Sequence, residues 1–252
     1  GLSDVSRGTS LDHRDQTLAL SYVRAGSRWA VIDLRGAVTR SRLRAPANDR
    51  IGPAVNIAGV ASFGTATSSP TGRDLDTGEV AGSLTAARGA HVLKAGFDVI
   101  HNRVNIAFPG ALQGVYTFPS LDAFAAGRYT TFQQAFGVEE QAQTNPNLAV
   151  YVQDEWRVRP DLTLTGGLRY DVQWLADPVR TDANNVGPRI GAAWAPGRGN
   201  TTVRASAGVY YDPVPLRALS NALQRDGERY RVAVLPFGAD GAPVFPTVLD
   251  TF

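Results

Sequence analysis

The sequence feature that most constrains the fold is a repeated alternation of apolar and polar residues with a period of two. From Leu162 to Trp174, every second position holds an apolar residue or glycine, and the positions between hold polar residues or glycine. Because successive side chains of a β-strand point to opposite faces, this pattern predicts a strand with one apolar and one polar face, and no helix produces it. Shorter or less regular versions of the alternation occur at residues 18–22, 30–39, 80–84, 93–99, 148–158, 190–194 and 203–212. The sequence therefore predicts an all-β protein with about eight antiparallel strands.

The connections between these segments alternate in length. Short turns are predicted at Ala25–Arg28, Arg88–His91, Arg159–Asp161 and Pro196–Asn200, and long excursions at 41–76, 105–147, 175–187 and after Asp212. In an antiparallel sheet, all of these short turns fall at the same end. Outer-membrane barrels show this asymmetry, with short periplasmic turns and long extracellular loops. The clearest segments have about 10 to 12 residues, close to the length of a tilted strand that crosses a bilayer. The pattern therefore predicts a segment of an antiparallel transmembrane β-barrel.

Aromatic residues near the strand ends support the same interpretation. Trp156, Trp194 and Tyr22 lie close to predicted short turns, whereas Trp174 and Tyr211 lie at the long-loop end. Tyr and Trp are enriched where a barrel meets the lipid headgroups. The predicted aromatic girdle consists of Tyr22, Trp156, Tyr170, Trp174, Trp194 and Tyr211. The alternative is that these residues form the core of a soluble sheet, which is the commoner role of aromatic side chains.

The polar face of the predicted sheet carries a set of charged residues. If the apolar face contacts lipid, these side chains line a hydrated lumen, where they pair across strands and against a plug. The predicted lumen-facing set is Lys94, Asp98, Arg157, Arg169, Asp171, Arg189 and Arg204. Asp154 departs from the pattern because it falls on the apolar face, which a β-bulge or a contact near the water interface would explain. Two short helices are predicted within the long excursions, at Ser120–Ala126 and Pro215–Gln224.

Motifs for catalysis, metal binding or nucleic-acid binding are weak or absent. The chain has no cysteine, and His13, His91 and His101 lack metal-ligand spacing, so separate surface or turn histidines are expected. The acidic run Asp74–Glu79 lacks the later ligands of a calcium loop, which favours an ordinary polar turn. No GxSxG elbow or phosphate-binding loop occurs, and the formal net charge of +2 is not concentrated in a basic patch. We therefore expect no enzyme activity, no catalytic residue, no metal site, no cofactor and no nucleic-acid partner.

Four segments resemble TonB-dependent outer-membrane receptors, in particular the Oar-like branch of that family. They read VYVQDEWRVRPDLTLTGGLRYD (Val150–Asp171), GAHVLKAGFDV (Gly89–Val99), NNVGPRIGAAWAP (Asn184–Pro196) and TTVRASAGVYYD (Thr201–Asp212). The resemblance implies a barrel of about 22 strands with a plugged lumen, which imports a ligand with energy passed through TonB. Residues 1–252 would then form a partial barrel domain in the bacterial outer membrane, without the plug and the remaining strands. The implied partners are outer-membrane lipid, TonB and the plug, and the identity of the imported ligand stays open.

Two other functions agree with parts of the pattern. A small complete outer-membrane barrel, acting as an adhesin or a structural protein, would also need about eight strands. Against it, Pro246 and Asp250 interrupt the alternation that a last strand ending at Phe252 would need. A soluble β-sandwich that acts as a binding module would alternate in the same way. Against the sandwich, its loops have no reason to alternate in length, and its strands are usually about 5 to 6 residues long.

Overall fold

Two β-sheets make up most of the regular structure. The computed structural model describes residues 1–27, 29–68, 71–108, 110–197, 201–225 and 227–252. Its strands are β1 (Leu2–Ser3), β2 (Asp12–Ser27), β3 (Ala30–Ala45), β4 (Ala54–Ile57), β5 (Ala61–Phe63), β6 (Thr71–Arg88), β7 (His91–Ala107), β8 (Val115–Phe118), β9 (Thr131–Gly137), β10 (Glu140–Arg159), β11 (Leu162–Gln173), β12 (Asn185–Trp194), β13 (Val203–Gly208) and β14 (Tyr230–Pro236). The helices are a 3-10 turn (Val5–Arg7), α1 (Leu121–Ala125) and α2 (Leu216–Gln224). The predicted all-β class is confirmed.

The larger sheet, which we call the wall sheet, has eight strands in the order β13-β12-β11-β10-β7-β6-β3-β2. Every neighbouring pair is antiparallel, and the strands follow one another as a meander. The turn between β6 and β7 contains only Gly89 and Ala90, and Gly89 takes a φ of +60°, a conformation that glycine adopts without steric cost. The short connections, β2 to β3, β6 to β7, β10 to β11 and β12 to β13, lie at one end of the sheet and the long connections at the other, as predicted. Of the predicted short turns, residues 28 and 198–200 lie outside the described residues. Within the described residues β2 and β13 are edge strands, so the sheet is not a closed barrel.

The wall strands extend beyond the apolar alternation, and the connections are correspondingly shorter than predicted. β3, β6, β7 and β10 have 16, 18, 17 and 20 residues. At the other extreme, β13 has six residues and ends at Gly208, although the sequence pattern continues to Asp212. The three internal long connections span 46–70, 108–139 and 174–184, instead of 41–76, 105–147 and 175–187.

The acidic run Asp74–Glu79 lies inside β6, so its prediction as a polar turn was wrong. The physical reason is cross-strand ion pairing with β3. Arg40 lies 2.8 Å from Asp76, and Arg44 lies 2.8 Å from Asp74. Opposite charges that face each other stabilise an antiparallel pair, so the ladder continues where the apolar pattern has ended.

The apolar face of the wall sheet is exposed. Residues that pair directly across an antiparallel ladder share a face, and this face is apolar from β2 to β13. Leu20 is 72% exposed and Ile190 is 68% exposed. Other exposed members of the face are Leu18, Val38, Val80, Leu93, Val152 and Leu168. A soluble sandwich would bury this face against a second sheet, so the structure argues against that alternative.

The smaller sheet, which we call the loop sheet, was not predicted. It has six strands in the order β1-β5-β4-β8-β9-β14, all contributed by the long connections and the two terminal regions. Its buried core consists of Val55, Ile57, Tyr116, Phe118, Tyr129 and Phe132. Aromatic rings meet edge to face in this core, with 4.9 Å between the centroids of Tyr116 and Tyr129, a favoured geometry for aromatic pairs. The long-loop end is therefore a packed unit rather than a set of open loops.

The two helices lie where the sequence predicted them. The Ser120 hydroxyl accepts a hydrogen bond from the Ala123 backbone N–H at 3.2 Å and caps α1. Pro215 precedes α2, whose Leu219 and Leu223 are buried. The Gln143 side chain of β10 donates to the Leu216 carbonyl at 3.1 Å and fixes α2 over the polar face of the wall sheet. Among the described residues, no helix combines the length and the apolar character that a membrane span requires.

Raising the pH above about 10 is expected to destabilise the loop sheet. Tyr116 is fully buried, its hydroxyl donates to the Thr247 carbonyl, and burial raises the pKa of its phenol. Because this pKa is higher in the folded protein than in the unfolded chain, the contribution is complete below the unfolded pKa and is lost as the pH rises towards the folded one. The unfolding temperature, measured between pH 8 and pH 11, should fall more steeply for the natural protein than for Tyr116→Phe. Equal slopes would show that Tyr116 does not carry the effect.

Candidate functional site on the polar face of the wall sheet

A charged network lies at the centre of the polar face. The Arg169 guanidinium donates to Asp171 at 2.9 Å along β11 and to Asp98 of β7 at 3.2 Å. Between these two strands runs β10, where Ala149 pairs with both Asp98 and Asp171. The small side chain of Ala149 leaves room for Arg169 to reach across β10. The network therefore ties three neighbouring strands together on one face.

Tyr151 lies beneath the guanidinium of this network. The Arg169 Cζ atom is 5.8 Å from the centre of the Tyr151 ring, within the range of a cation–π contact. Opposite Tyr151 on β7 stands Gly96. A Cβ atom at Gly96 would come within 2.6 Å of the Tyr151 hydroxyl and the Gly82 carbonyl. The absence of a side chain at Gly96 thus makes room for the tyrosine ring.

Next to the network is a cavity of about 500 Å³. The Arg189 guanidinium lies over the Tyr210 ring at 4.5 Å and forms part of its wall. The Gln173 side-chain amide donates to the Val214 carbonyl at 3.1 Å and accepts from the Val214 N–H at 2.7 Å, which holds the segment after β13 across the cavity. The polar groups of the wall are those of Asp98, Asn147, Arg169, Asp171, Gln173, Asp182, Asn185, Arg189, Tyr210, Tyr211 and Asp212. The cavity presents hydrogen-bond donors, acceptors and aromatic faces together, which suits a polar ligand.

The strand register places the whole predicted lumen-facing set on the polar face. Asp98, Arg169 and Asp171 form the network, and Arg189 lines the cavity beside it. Lys94 lines a second cavity of about 540 Å³ on the same face. Nearer the short turns, Arg157 and Arg204 lie in one cross-strand row with Thr163 and Ala193, outside both cavities. Contact of these residues with a lumen or a plug stays a prediction.

An ion pair on the polar face and part of the cavity were not predicted from the sequence. Arg35 donates to Asp33 at 2.8 Å on β3. The two residues are spaced i, i+2 within a strand, as are Arg169 and Asp171. This spacing places both side chains on one face and could have predicted the ion pair. Tyr210 and Asp182 lie in connections outside the strands, where the alternation gives no information about position.

The predicted girdle residues take two kinds of position. Tyr22, Trp156, Tyr170 and Trp194 lie on the apolar face of the wall strands, each in register with an apolar residue of a neighbouring strand: Leu34, Leu164, Val186 and Leu162, respectively. Trp174 follows the last residue of β11. Tyr211 lies beyond the end of β13 and lines the 500 Å³ cavity, so its predicted place at a strand end was wrong. The cause is the early end of β13.

Asp154 makes a contact near the short-turn end rather than a bulge. His91 Nδ1 lies 2.7 Å from Asp154 Oδ2, and the His91 and Trp156 rings stack with their centroids 5.5 Å apart. The irregularity between β10 and β11 lies further along, between Arg157 and Arg159. The bulge explanation for Asp154 is therefore wrong, and a contact near the water interface stays a prediction. The part of the chain that the structure describes holds no group of three or more His, Cys, Asp or Glu side chains suited to a metal ion.

Comparisons with known proteins agree with this architecture. Residues 8–178 and 175–245 match a family model described as an outer membrane beta barrel domain. Over 171 residues, the chain is 29% identical to the TonB-dependent transporter Oar of Myxococcus xanthus, which covers 55% of this chain and 15% of the relative. The fold is similar to that of the outer membrane transporter YddB from Escherichia coli, with a TM-score of 0.53 and 16% identity over 81% of this chain and 26% of the other.

These matches differ in what they show. At 16% identity the likeness to YddB concerns the fold alone, and the chain spans only a minor part of the length of both relatives. Both relatives are transporters rather than enzymes. The family model, in contrast, covers most of the chain, including all eight wall strands from β2 to β13. This protein therefore belongs to the outer membrane beta barrel domain family, whose place is the bacterial outer membrane.

Proposed function

We propose that this chain forms part of the barrel wall of a TonB-dependent receptor that binds a ligand and imports it across the outer membrane. The observation that carries the proposal is the two-faced wall sheet, with an exposed apolar face and a polar face that holds the Arg169 network. The similarity to a protein named as a TonB-dependent transporter supports it. In this proposal the apolar face contacts outer-membrane lipid, and the polar face contacts a plug and the passing ligand.

Introduced cysteines can test this proposal, since the chain has none of its own. Gln153 is exposed on the polar face between Lys94 and Gly167, and Val152, the neighbouring residue, is exposed on the apolar face. We expect a membrane-impermeant maleimide to label Gln153→Cys in cells, at a rate that changes when TonB is deleted, because a plug that moves under TonB alters access to the polar face. Labelling would be followed by the mass shift of the protein.

Val152→Cys is the matched control, because it differs by one position and faces lipid. It should remain unlabelled with and without TonB. If Gln153→Cys is labelled at the same rate in both strains, the link to TonB is wrong, and a small barrel that acts as an adhesin becomes the better explanation. If Val152→Cys is labelled as fast as Gln153→Cys, the assignment of the two faces is wrong as well.

A further inference from the structure

The apolar face of β2, β3, β6 and β7 forms a band between two cross-strand rows. Cross-strand register places Leu18, Val38, Gly78 and His101 in one row, and Ala30, Ala86 and Leu93 in another. Between these rows the face holds apolar residues, apart from Arg24 on the edge strand. On β3 this apolar band covers residues 30–38, which is close to the 9 to 11 residues that cross a bilayer. The row at Leu18 therefore marks the edge of the hydrocarbon layer at the long-loop end.

Arginines begin directly beyond this edge. The next row contains Arg40 and Arg103, and the row after it contains Arg14 and Arg42. Arg44 of β3 follows one row later. Successive rows on one face are about 7 Å apart along the strands, so all five guanidinium groups lie on the outer surface within about 20 Å of the apolar edge. Arg40 and Arg103, in the first of these rows, are at the depth of the lipid headgroups, and Arg14, Arg42 and Arg44 lie above that depth.

The charge of these rows is not fully compensated within the chain. Arg40 and Arg44 are paired with Asp76 and Asp74 at 2.8 Å, and Arg42 is 3.9 Å from Asp74. For Arg14 and Arg103, no ion pair occurs with any described residue. The same outward rows contain Asp12, Asp74 and Asp76, and Glu140 of β10 continues the row of Arg44, so five arginines face four acidic residues. The patch therefore carries an excess of positive charge.

An open cleft joins the arginines to the apolar band. It has a volume of about 690 Å³, its floor includes Leu18, Val38 and Gly78, and Arg40, Asp76 and Arg103 lie on its rim. A Cβ atom at Gly78 would meet no heavy atom within 4 Å, so this glycine widens the cleft. An apolar floor that ends in guanidinium groups matches a molecule with a hydrocarbon chain and an anionic head.

The other half of the wall sheet lacks this arrangement. On β10, the outward residues in the corresponding rows are Thr144, Ala142 and Glu140, and on β11 the outward residues at this end are Tyr170 and Val172. The arginines are thus confined to one sector of the outer surface, and a general need for charge at the edge of the membrane does not account for them.

We propose that this sector, formed by Arg14, Arg40, Arg42, Arg44 and Arg103, binds the phosphate groups of outer-leaflet lipid. The guanidinium group matches phosphate through paired hydrogen bonds, and a lipid acyl chain lies along Leu18 and Val38. The site faces away from the polar face, so the proposal is independent of ligand import.

The test uses Arg14→Gln/Arg103→Gln, because neither residue has an ion pair to lose. The protein is purified in detergent, and its affinity is measured for lipid A that carries its phosphates, for lipid A without phosphates and for inorganic phosphate. We expect the double substitution to weaken binding of phosphorylated lipid A by about 25-fold, from about fivefold for each arginine near an anionic headgroup. Lipid A without phosphates should bind the natural protein and the double variant with equal affinity.

Arg24→Gln/Arg88→Gln is the matched control, because it removes two exposed arginines from the same face nearer the short turns. It should change the affinity by about twofold or less. An equal loss in both double variants would overturn the proposal in favour of unspecific attraction. Full displacement of lipid A by millimolar inorganic phosphate would assign the site to free anions instead. If the first variant fails to fold, Arg42→Gln alone, with an expected loss of about fivefold, decides between the same outcomes.

Discussion

Replacement of Leu168 by arginine is expected to destabilise the protein in membranes by about 2 to 4 kcal/mol. Leu168 is 49% exposed on the apolar face of β11. Its cross-strand row contains Val152 and Ala95, and Ala95 lies near the middle of the apolar band on β7, where the cost of a charge in lipid is largest. The effect would be measured as the shift in the urea midpoint of the protein reconstituted in lipid vesicles.

Thr165→Arg on the same strand is the control for this substitution. Thr165 is exposed on the polar face and pairs with Glu155, so a new arginine there meets water and an opposite charge. This variant should change stability by less than about 1 kcal/mol. Equal stability of Leu168→Arg and the natural protein would show that the apolar face does not contact lipid.

Truncation of Phe118 to alanine is expected to open the loop sheet at a cost of about 3 to 5 kcal/mol. Phe118 has no exposed surface, and its ring meets Phe124 at a centroid distance of 5.2 Å and Phe245 at the same distance. Removal of the ring leaves a cavity in the one aromatic core that the loop sheet has among its described residues. A loss of this size raises the population of the opened sheet on the order of 100-fold or more.

Protease added to intact cells would measure this opening as the rate of cleavage within the long connections. Leu121→Ala is the control, since Leu121 lies near Phe118 in the sequence and is 55% exposed in α1. It should leave the cleavage rate close to that of the natural protein. Slow cleavage of Phe118→Ala would mean that the loop sheet does not depend on its aromatic core.

The wall sheet could be predicted because the residues that specify each strand and its two faces are neighbours in the sequence. The alternation from Leu162 to Trp174 fixes both a strand and its two faces, and the same parity placed Arg169, Asp171 and Asp98 on one side. The prediction from alternation was wrong where ion pairs, rather than apolar contacts, stabilise the strand pairing. Asp74–Glu79 has a turn-like composition, and only its pairing with the arginines of β3 shows that it continues a strand.

The loop sheet could not be predicted because contacts between residues far apart in the sequence hold it together. Its strands have 2 to 7 residues, too few for a period of two to be recognised. Tyr116 is held by the carbonyl of Thr247, 131 positions away in the chain, and no local pattern reports such a contact. The candidate cavity was missed in part for the same reason, since Tyr210 and Asp182 reach it from connections.

In the proposed receptor, the length of β10 sets the height at which a soluble ligand first meets the protein. Residues 140–145 continue the strand beyond the row of Pro146 and His101, and six residues at about 3.3 Å each, tilted by about 40°, raise the wall by about 15 Å. At physiological salt this height is about two Debye lengths. The wall therefore holds the loop sheet at a height where salt largely screens the negative potential of the lipid surface. In the proposed receptor, an anionic ligand would approach the long-loop end without repulsion from the membrane beneath it.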